Sequence, residues 1–444
     1  MATELSPFRL GDYCRKIGSG ATPRGGKDAY LPSGPFSLIR SQNVYNDRFS
    51  ISGLAYISEE QANALKAVEV LADDVLVNIT GDSVARVCQV DPSILPARVN
   101  QHVAIVRPDN ENIDARFLRY WFVTQETQNS LLALASAGAT RPALTKAMLE
   151  NLEVPRIGIY DQRAIASVLS ALDDKIELNR RMNETLEGMA QAIFRDWFVD
   201  FGPVRRKASG EADPVAIMGG LTPDPTRASE LAALFPDAFG DDGLPVGWKA
   251  GTLDRLALVN PESWKTKNHP AQVEYVDLSN TKWGSIEATA ILTWEAAPSR
   301  ARRIARTGDT IVGTVRPGNG SYAYIGRDGY TASTGFAVLR PKQTIYTDAI
   351  YVAATAADNI TRLANLADGH GGAYPAVNPD VVAATSFPVI PDDLLAAFSA
   401  FASPLRAKIE QAKIEIRTLA ETRDYLLPRL MSGAVRVAPK VEVG

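Results

Sequence analysis

The stretch Leu172–Trp197, LDDKIELNRRMNETLEGMAQAIFRDW, decides the architecture. Leu172, Ile176, Asn179, Asn183, Leu186, Ala190, Ile193 and Trp197 follow one another in steps of four and three, and no proline breaks the run. That is the heptad rhythm of a helix with one narrow apolar seam. A second run obeys it: Leu405, Ile409, Ala412, Ile416, Leu419, Arg423, Leu426 and Leu430, with Pro404 placed to suit a helix's first turn. Each helix should run about 30 residues or more, roughly 45 Å at 1.5 Å per residue. A helix that long with so narrow a seam needs a partner, and the other run is the nearest one. Asn179 and Asn183 in the seam would set register at some cost in stability.

The two runs belong to a longer repeat. Sliding the chain on itself by 233 residues lays Arg107-Pro108 on Arg340-Pro341, Pro142 on Pro375 and Pro155 on Pro388. It also lays Leu172, Lys175, Ile176 and Glu177 on Leu405, Lys408, Ile409 and Glu410. A fixed period of this kind marks two copies of one unit. Ahead of each helix lies a mixed α/β segment. Short β-branched stretches at 74–79, 103–106, 309–315 and 336–339 predict strands. Phe117, Leu118, Trp121 and Phe122 give a helical stripe within Ala115–Leu134. The fold class read from this is α+β or α/β, two globular domains joined by two long packed helices with a pseudo-twofold repeat. The boundaries are 1–160 for the first globule, 161–201 for the first helix, 202–246 for a connector, 247–391 for the second globule, 392–433 for the second helix and 434–444 for a tail. The connector holds twelve Gly and Pro in 45 residues, about twice the chain average, and one small helix at Arg227–Leu234.

Composition narrows the function. The chain has 444 residues, 45% of them hydrophobic, with 51 acidic and 47 basic side chains for a net charge of −4. A uniformly basic coat for nucleic acid is excluded, but a basic face is not. Two cysteines, Cys14 and Cys88, and the scattered His102, His269 and His370 do not make a metal module. No apolar run suits a signal peptide or a membrane span, so the expectation is a cytoplasmic protein. Gly18–Lys27 resembles a P-loop only superficially, because its spacing is wrong and Asp28 stands where a hydroxyl is required. A dinucleotide fingerprint and a nucleophile elbow are missing. Asn260-Pro261 and Asn378-Pro379 lack the second proline and the ring of an amino-methyltransferase motif. Asp173-Asp174-Lys175 lies on the heptad helix, where charges are ordinary. No catalytic residue is expected.

Binding chemistry is better represented. Between residues 15 and 48 there are six Lys or Arg against two Asp. Arg suits guanine and Asn or Gln suits adenine in the major groove, while Lys, Ser and Thr hold phosphates. The candidates in the first copy are Ser19, Thr22, Arg24, Lys27, Arg40, Ser41, Gln42, Asn43, Asn78, Thr80, Arg86, Gln101 and Arg141, with Thr140 beside the last. In the second they are Lys265, Lys267, Asn280, Lys282, Arg303, Thr314, Arg316, Asn319 and Thr334, with Arg300, Arg302 and Arg306 near them.

The whole pattern resembles the specificity subunit of type I restriction–modification systems. Leu172–Arg181 and Gln191–Val204 (QAIFRDWFVDFGPV) look like that family's central helical region. Ile17–Pro23 (IGSGATP) is similar to the opening loop of its target recognition domains, Gly243–Lys249 (GLPVGWK) to the start of the second, and Arg423–Gly433 (RDYLLPRLMSG) to the end of the second helix. Leu256–Pro270 departs from the Gly-rich opening loop, so the two copies should read different half-sites. The resemblance implies an antiparallel coiled coil that sets an unread spacer between two half-sites of double-stranded DNA. It implies docking of two methyltransferase subunits and sometimes two restriction subunits. Leu172, Ile176, Asn179, Leu186, Ile193, Trp197, Leu405, Ile409, Ile416, Leu419 and Leu426 are the expected coiled-coil and docking residues. S-adenosylmethionine, and ATP with magnesium, would belong to those partners, with no cofactor on this chain. Two other classes stay open here: a stand-alone methyltransferase or nuclease, and a coiled-coil scaffold that does not touch DNA.

Overall fold

A computed structural model describes residues 7–46, 48–137, 141–369 and 375–437. Thr140, His370 and the end of the tail lie outside the described residues. The chain divides into two compact units, 1–179 with 414–444, and 180–413.

In the first unit, strands Cys14–Ser19, Val103–Pro108, Val75–Asn78 and Val87–Gln89 form an antiparallel sheet in that spatial order. A second sheet runs Ala55–Ile57, Phe36–Ile39, Ala97–Val99, Glu69–Val70, and its central pair is parallel. Val75, Leu76 and Val77 are all buried, and so are Val103 to Val106, which is why these stretches read as continuous apolar runs. In the second unit the order recurs. One sheet is Ala257–Val259, Phe336–Pro341, Thr310–Gly313, Tyr322–Tyr324. The other is Ala290–Thr293, Gln272–Val276, Tyr330–Ser333, Ala301–Ile304, again with a parallel central pair. The duplication legible in the sequence is therefore a duplication of topology. It reaches single side chains: Arg107 grips Asp74 through Nε and Nη2 at 2.6 and 2.8 Å, and Arg340 grips Asp309 likewise at 2.9 Å through each.

Three expectations need correction. Ala115–Leu134 is two helices, Ala115–Phe122 and Gln125–Ser136, because the Thr124 hydroxyl caps the second by accepting from Thr127 N. Pro404 does not open a helix but sits inside one, since the second long helix already begins at Asp392. The connector carries three short helices, Gly202–Ala208, Pro214–Ile217 and Pro225–Ala233, each with proline in its first turn.

The long helices are Ile159–Phe198 and Asp392–Met431, 40 residues each. Each unit holds part of both. In the first unit, Ile165, Ala166 and Leu169 of one helix and Leu427 and Leu430 of the other close the same core, beside Phe117, Leu118 and Phe122. The pairing is antiparallel: Asp173 accepts from Arg423 Nη1 at 2.8 Å, and six residues further along Asn179 Nδ2 donates to Glu415 at 2.9 Å, eight residues earlier in the second helix. In the second unit Phe194, Trp197 and Phe198 meet Leu394, Phe398 and Ala402. No residue of either heptad seam is exposed; Ile176, Asn179, Ala190, Trp197, Ile409, Ala412 and Leu430 are buried. An aspartate placed at Ile176 would have to leave water without a counter-charge. Ile176→Asp is expected to cost roughly 2–3 kcal/mol, read as a lowered urea midpoint; an unchanged midpoint would remove the seam.

The motif Gln191–Val204 has a structural explanation. Trp197 lies among Phe198, Phe235, Phe398 and Phe401, with ring centroids 5.2 to 6.2 Å away. Phe201 turns into the left-handed region at φ 53°, and Asp196 then receives both Nη atoms of Arg206 at 3.0 and 2.7 Å. The string is a stop that ends the first long helix and locks the connector's first helix against it.

Candidate nucleic-acid interface

In the first unit the ends of several strands converge. Gly20 N donates to Val103 O and Ala21 N to Val99 O, and a methyl at Gly20 would overlap Val99 O, so only glycine lets the opening loop pass. Asn100 N donates to Ile39 O, Ile79 N to His102 O and Leu144 N to Ile79 O. Segments 19–22, 40–43, 79–83, 99–102 and 141–144 thus meet at one end of the two sheets. There Ser19, Thr22, Arg24, Lys27, Gln42, Gln101 and Arg141 are exposed, and Arg40, Ser41, Thr80 and Arg86 half-buried.

Arg24, Lys27, Arg40, Arg86 and Arg141 have no carboxylate partner among the described residues. Arg86 lies over Tyr45, 4.9 Å from the ring centre, and Arg40 lies over Tyr30 while donating to Gly53 O. Gln42 Nε2 reaches the same carbonyl at 3.0 Å. Two basic residues of the sequence cluster point elsewhere: Arg15 donates to Asp109 O and Lys16 to Ala67 O.

The second unit builds the corresponding end. Thr314 N donates to Gly335 O, Gly313 N to Ser321 O, Trp283 N to Gly320 O and Val377 N to Thr314 O. Asn280, Arg316, Asn319 and Thr334 stand exposed on these segments, and Lys282 is half-buried. Lys265 and Lys267 are exposed on a separate turn closed between Lys265 and Asn268. Arg316 adopts φ 46°, a left-handed value that costs an arginine free energy.

Some candidates brace the loops instead of presenting themselves. Asn43 is buried; its Oδ1 accepts from Arg40 N, and its Nδ2 donates to Ser50 O and Ser52 O. Asn78 is buried and donates to Ser41 O and Ser83 Oγ. Thr314 is buried and donates to Gly335 O. Arg303 is half-buried against Ser263. Neighbouring arginines are already neutralised. Arg306 and Arg340 hydrogen-bond Glu262, which pushes its carboxyl down to about 2, and Arg300 reaches Tyr275 OH and Asp277 at 3.0 Å. Arg302 lies on Trp294, whose other partner is the stacked ring of His269, 4.1 Å away.

Residue-type reasoning missed Trp283. Trp283 is 61% exposed, its φ is 44°, and its ring lies against Gly320, where any side chain would overlap it. Hydrogen-bonding residue types give no hint of an aromatic that offers mainly a flat apolar face. Lys282 beside it was the available signal.

The two units thus share one topology, and each gathers polar and cationic side chains at the same sheet end. Residues 3–188 match the family model described as the type I restriction modification DNA specificity domain. The chain is 28% identical over 288 residues to the type I restriction enzyme HindI specificity subunit of Haemophilus influenzae, covering 58% of this chain and 61% of that subunit. It is 35% identical over 112 residues to the MjaIX specificity subunit of Methanocaldococcus jannaschii, covering 25% and 26%. The matched stretches therefore span less than two thirds of the length of these relatives. The type I restriction–modification S subunit from M. genitalium shares the fold over 97% of each chain, with a TM-score of 0.54 at 15% identity. Residues 3–188 therefore carry the match to a type I DNA specificity domain, and over the whole chain the likeness to the M. genitalium S subunit is one of fold.

Proposed function

We propose that the chain is the DNA reader of a type I restriction–modification complex and that each lobe reads one half of a bipartite target in duplex DNA. One observation carries this: the two lobes share strand order yet offer different side chains at the same sheet end. Gln101 and Thr334, for example, hold equivalent places 233 residues apart, and both are exposed. Two unlike readers on one scaffold suit two unlike half-sites.

The unpaired cations would supply phosphate contacts. Arg24→Ala and Arg141→Ala should each weaken binding across all sequences and lower the slope of log affinity against log salt by about 1. Fluorescence anisotropy of the assembled complex on its target, from low to moderate salt, reads this; an unaltered slope in both variants counts against the first-lobe surface.

Methylation and cleavage would come from partner subunits, with S-adenosylmethionine, and ATP with magnesium, bound there. On the outward side of the helices in the first unit, Leu178, Ile414 and Tyr425 are 60%, 66% and 58% exposed. Such apolar side chains suit a docked methyltransferase subunit. The helices would also set the unread spacer. Deleting one matched heptad from each is expected to shift the preferred spacer in a methylome, and a spacer unmoved by that deletion would refute the ruler. The alternative of a stand-alone methyltransferase is tested by incubating this chain alone with labelled S-adenosylmethionine and DNA.

A further inference from the structure

The geometry points to Gln101 as the reader of one adenine in the major groove, with His102 as the positioning residue that fixes its amide. This rests on the DNA-reading function proposed above.

Gln101 occupies the tip between strands Ala97–Val99 and Val103–Pro108, amid the converging loops, and its side chain is exposed. A surface glutamine ordinarily samples many rotamers, and holding it still costs conformational entropy. Here the amide is held. Gln101 Nε2 lies 3.0 Å from His102 Nε2. An amide nitrogen has only protons to give, so this ring nitrogen accepts, and Nδ1 carries the ring proton to Thr80 Oγ1, 2.6 Å away.

His102 is itself anchored. Its N–H donates to the side chain of buried Asn100 at 3.1 Å, and its carbonyl accepts from Ile79 N at 3.0 Å. A chain of bonds therefore runs from the strand ends through the imidazole to a single exposed amide. With one N–H committed to the ring, the amide keeps one N–H and its carbonyl for the outside. That donor–acceptor pair matches the N7 acceptor and N6 donor of adenine. Gln42, the other exposed glutamine among the candidates, has its amide nitrogen on Gly53 O and no such ring behind it. In the second lobe the positions of Gln101 and His102 are taken by Thr334 and Gly335, so this device belongs to the first half-site alone.

The test is selection from a randomised duplex pool by the full chain assembled with its methyltransferase partner. Wild-type chain should select a bipartite motif; if it selects none, the DNA-reading function fails, and with it everything built on it. Given a motif, Gln101→Glu offers only acceptors and should move one adenine position to cytosine, whose amino donor in the major groove has no acceptor beside it as adenine's has in N7. Discrimination at that position should change roughly 5- to 150-fold, with the other positions unmoved. An unchanged motif, or a shift at a position that is not adenine, overturns the assignment of Gln101 while leaving the general function intact. His102→Phe should flatten that one position only. Equal flattening at every position would mean that His102 merely supports the fold. Should that variant not fold, Thr80→Val removes the bond behind the ring, with the same two outcomes.

Discussion

Replacing Asp173 by alanine is expected to destabilise the first unit by roughly 3–5 kcal/mol. Asp173 leaves the first long helix to accept from Arg119 Nη1 at 2.5 Å, Tyr120 OH at 2.7 Å and Arg423 Nη1 at 2.8 Å. Arg119 is buried, so the variant removes the carboxylate that compensates its charge in a poorly solvated place. The double variant Asp173→Leu with Arg119→Met removes both charges and should recover part of the loss. Urea denaturation of the three proteins reads the series; a single variant as stable as wild type would show that the node contributes nothing.

The same carboxyl gives a pH dependence. Burial alone would raise its pKa, but the Arg119 charge and the bonds from Tyr120, Arg119 and Arg423 outweigh burial and hold it below the ordinary aspartate range. A group depressed in the folded state contributes stability that is fully present above its unfolded value, about 3.9, and is lost as pH falls through the folded one. The Asp173→Ala penalty should therefore be constant near neutrality and shrink below about pH 4.

The second large effect is expected at Trp197→Ala, again roughly 3–5 kcal/mol. Trp197 is 1% exposed and has four aromatic neighbours, from the first long helix (Phe198), the connector (Phe235) and the second long helix (Phe398 and Phe401). Truncation leaves a cavity that these rigid rings cannot all move to fill. Trp197→Phe keeps much of the volume and should cost less. A Trp197→Ala midpoint within experimental error of wild type would contradict the packing described.

The helices were legible because a heptad seam is a local property: each residue's neighbours on the face are three and four positions away. The repeat was legible because a constant offset needs only one sequence. The convergence of strand ends was partly legible, since loop residues of the right chemistry stood at Arg40–Asn43, Thr80 and Gln101. Which of them face outward was not. Asn43, Asn78 and Thr314 have the composition of readers, yet their hydrogen bonds go to backbone carbonyls that only folding brings near. Likewise the partner of Arg306, Glu262, lies 44 residues away, so its neutralisation could not be seen in a cluster of cations. The seat of Trp283 was equally hidden, because the glycine it packs against lies 37 positions later in the chain.

The division of the two long helices between the units has a consequence for biosynthesis. The second unit is one uninterrupted stretch, 180–413, whereas the first needs residues from 414 onward, among them Arg423, Leu427 and Leu430. At about 5–20 residues per second on the ribosome, the first-made globule waits on the order of 10–50 s for the segment that seals it. Through that interval its apolar flank around Ile165 and Leu169 stands open, and the later-translated unit is the first able to finish.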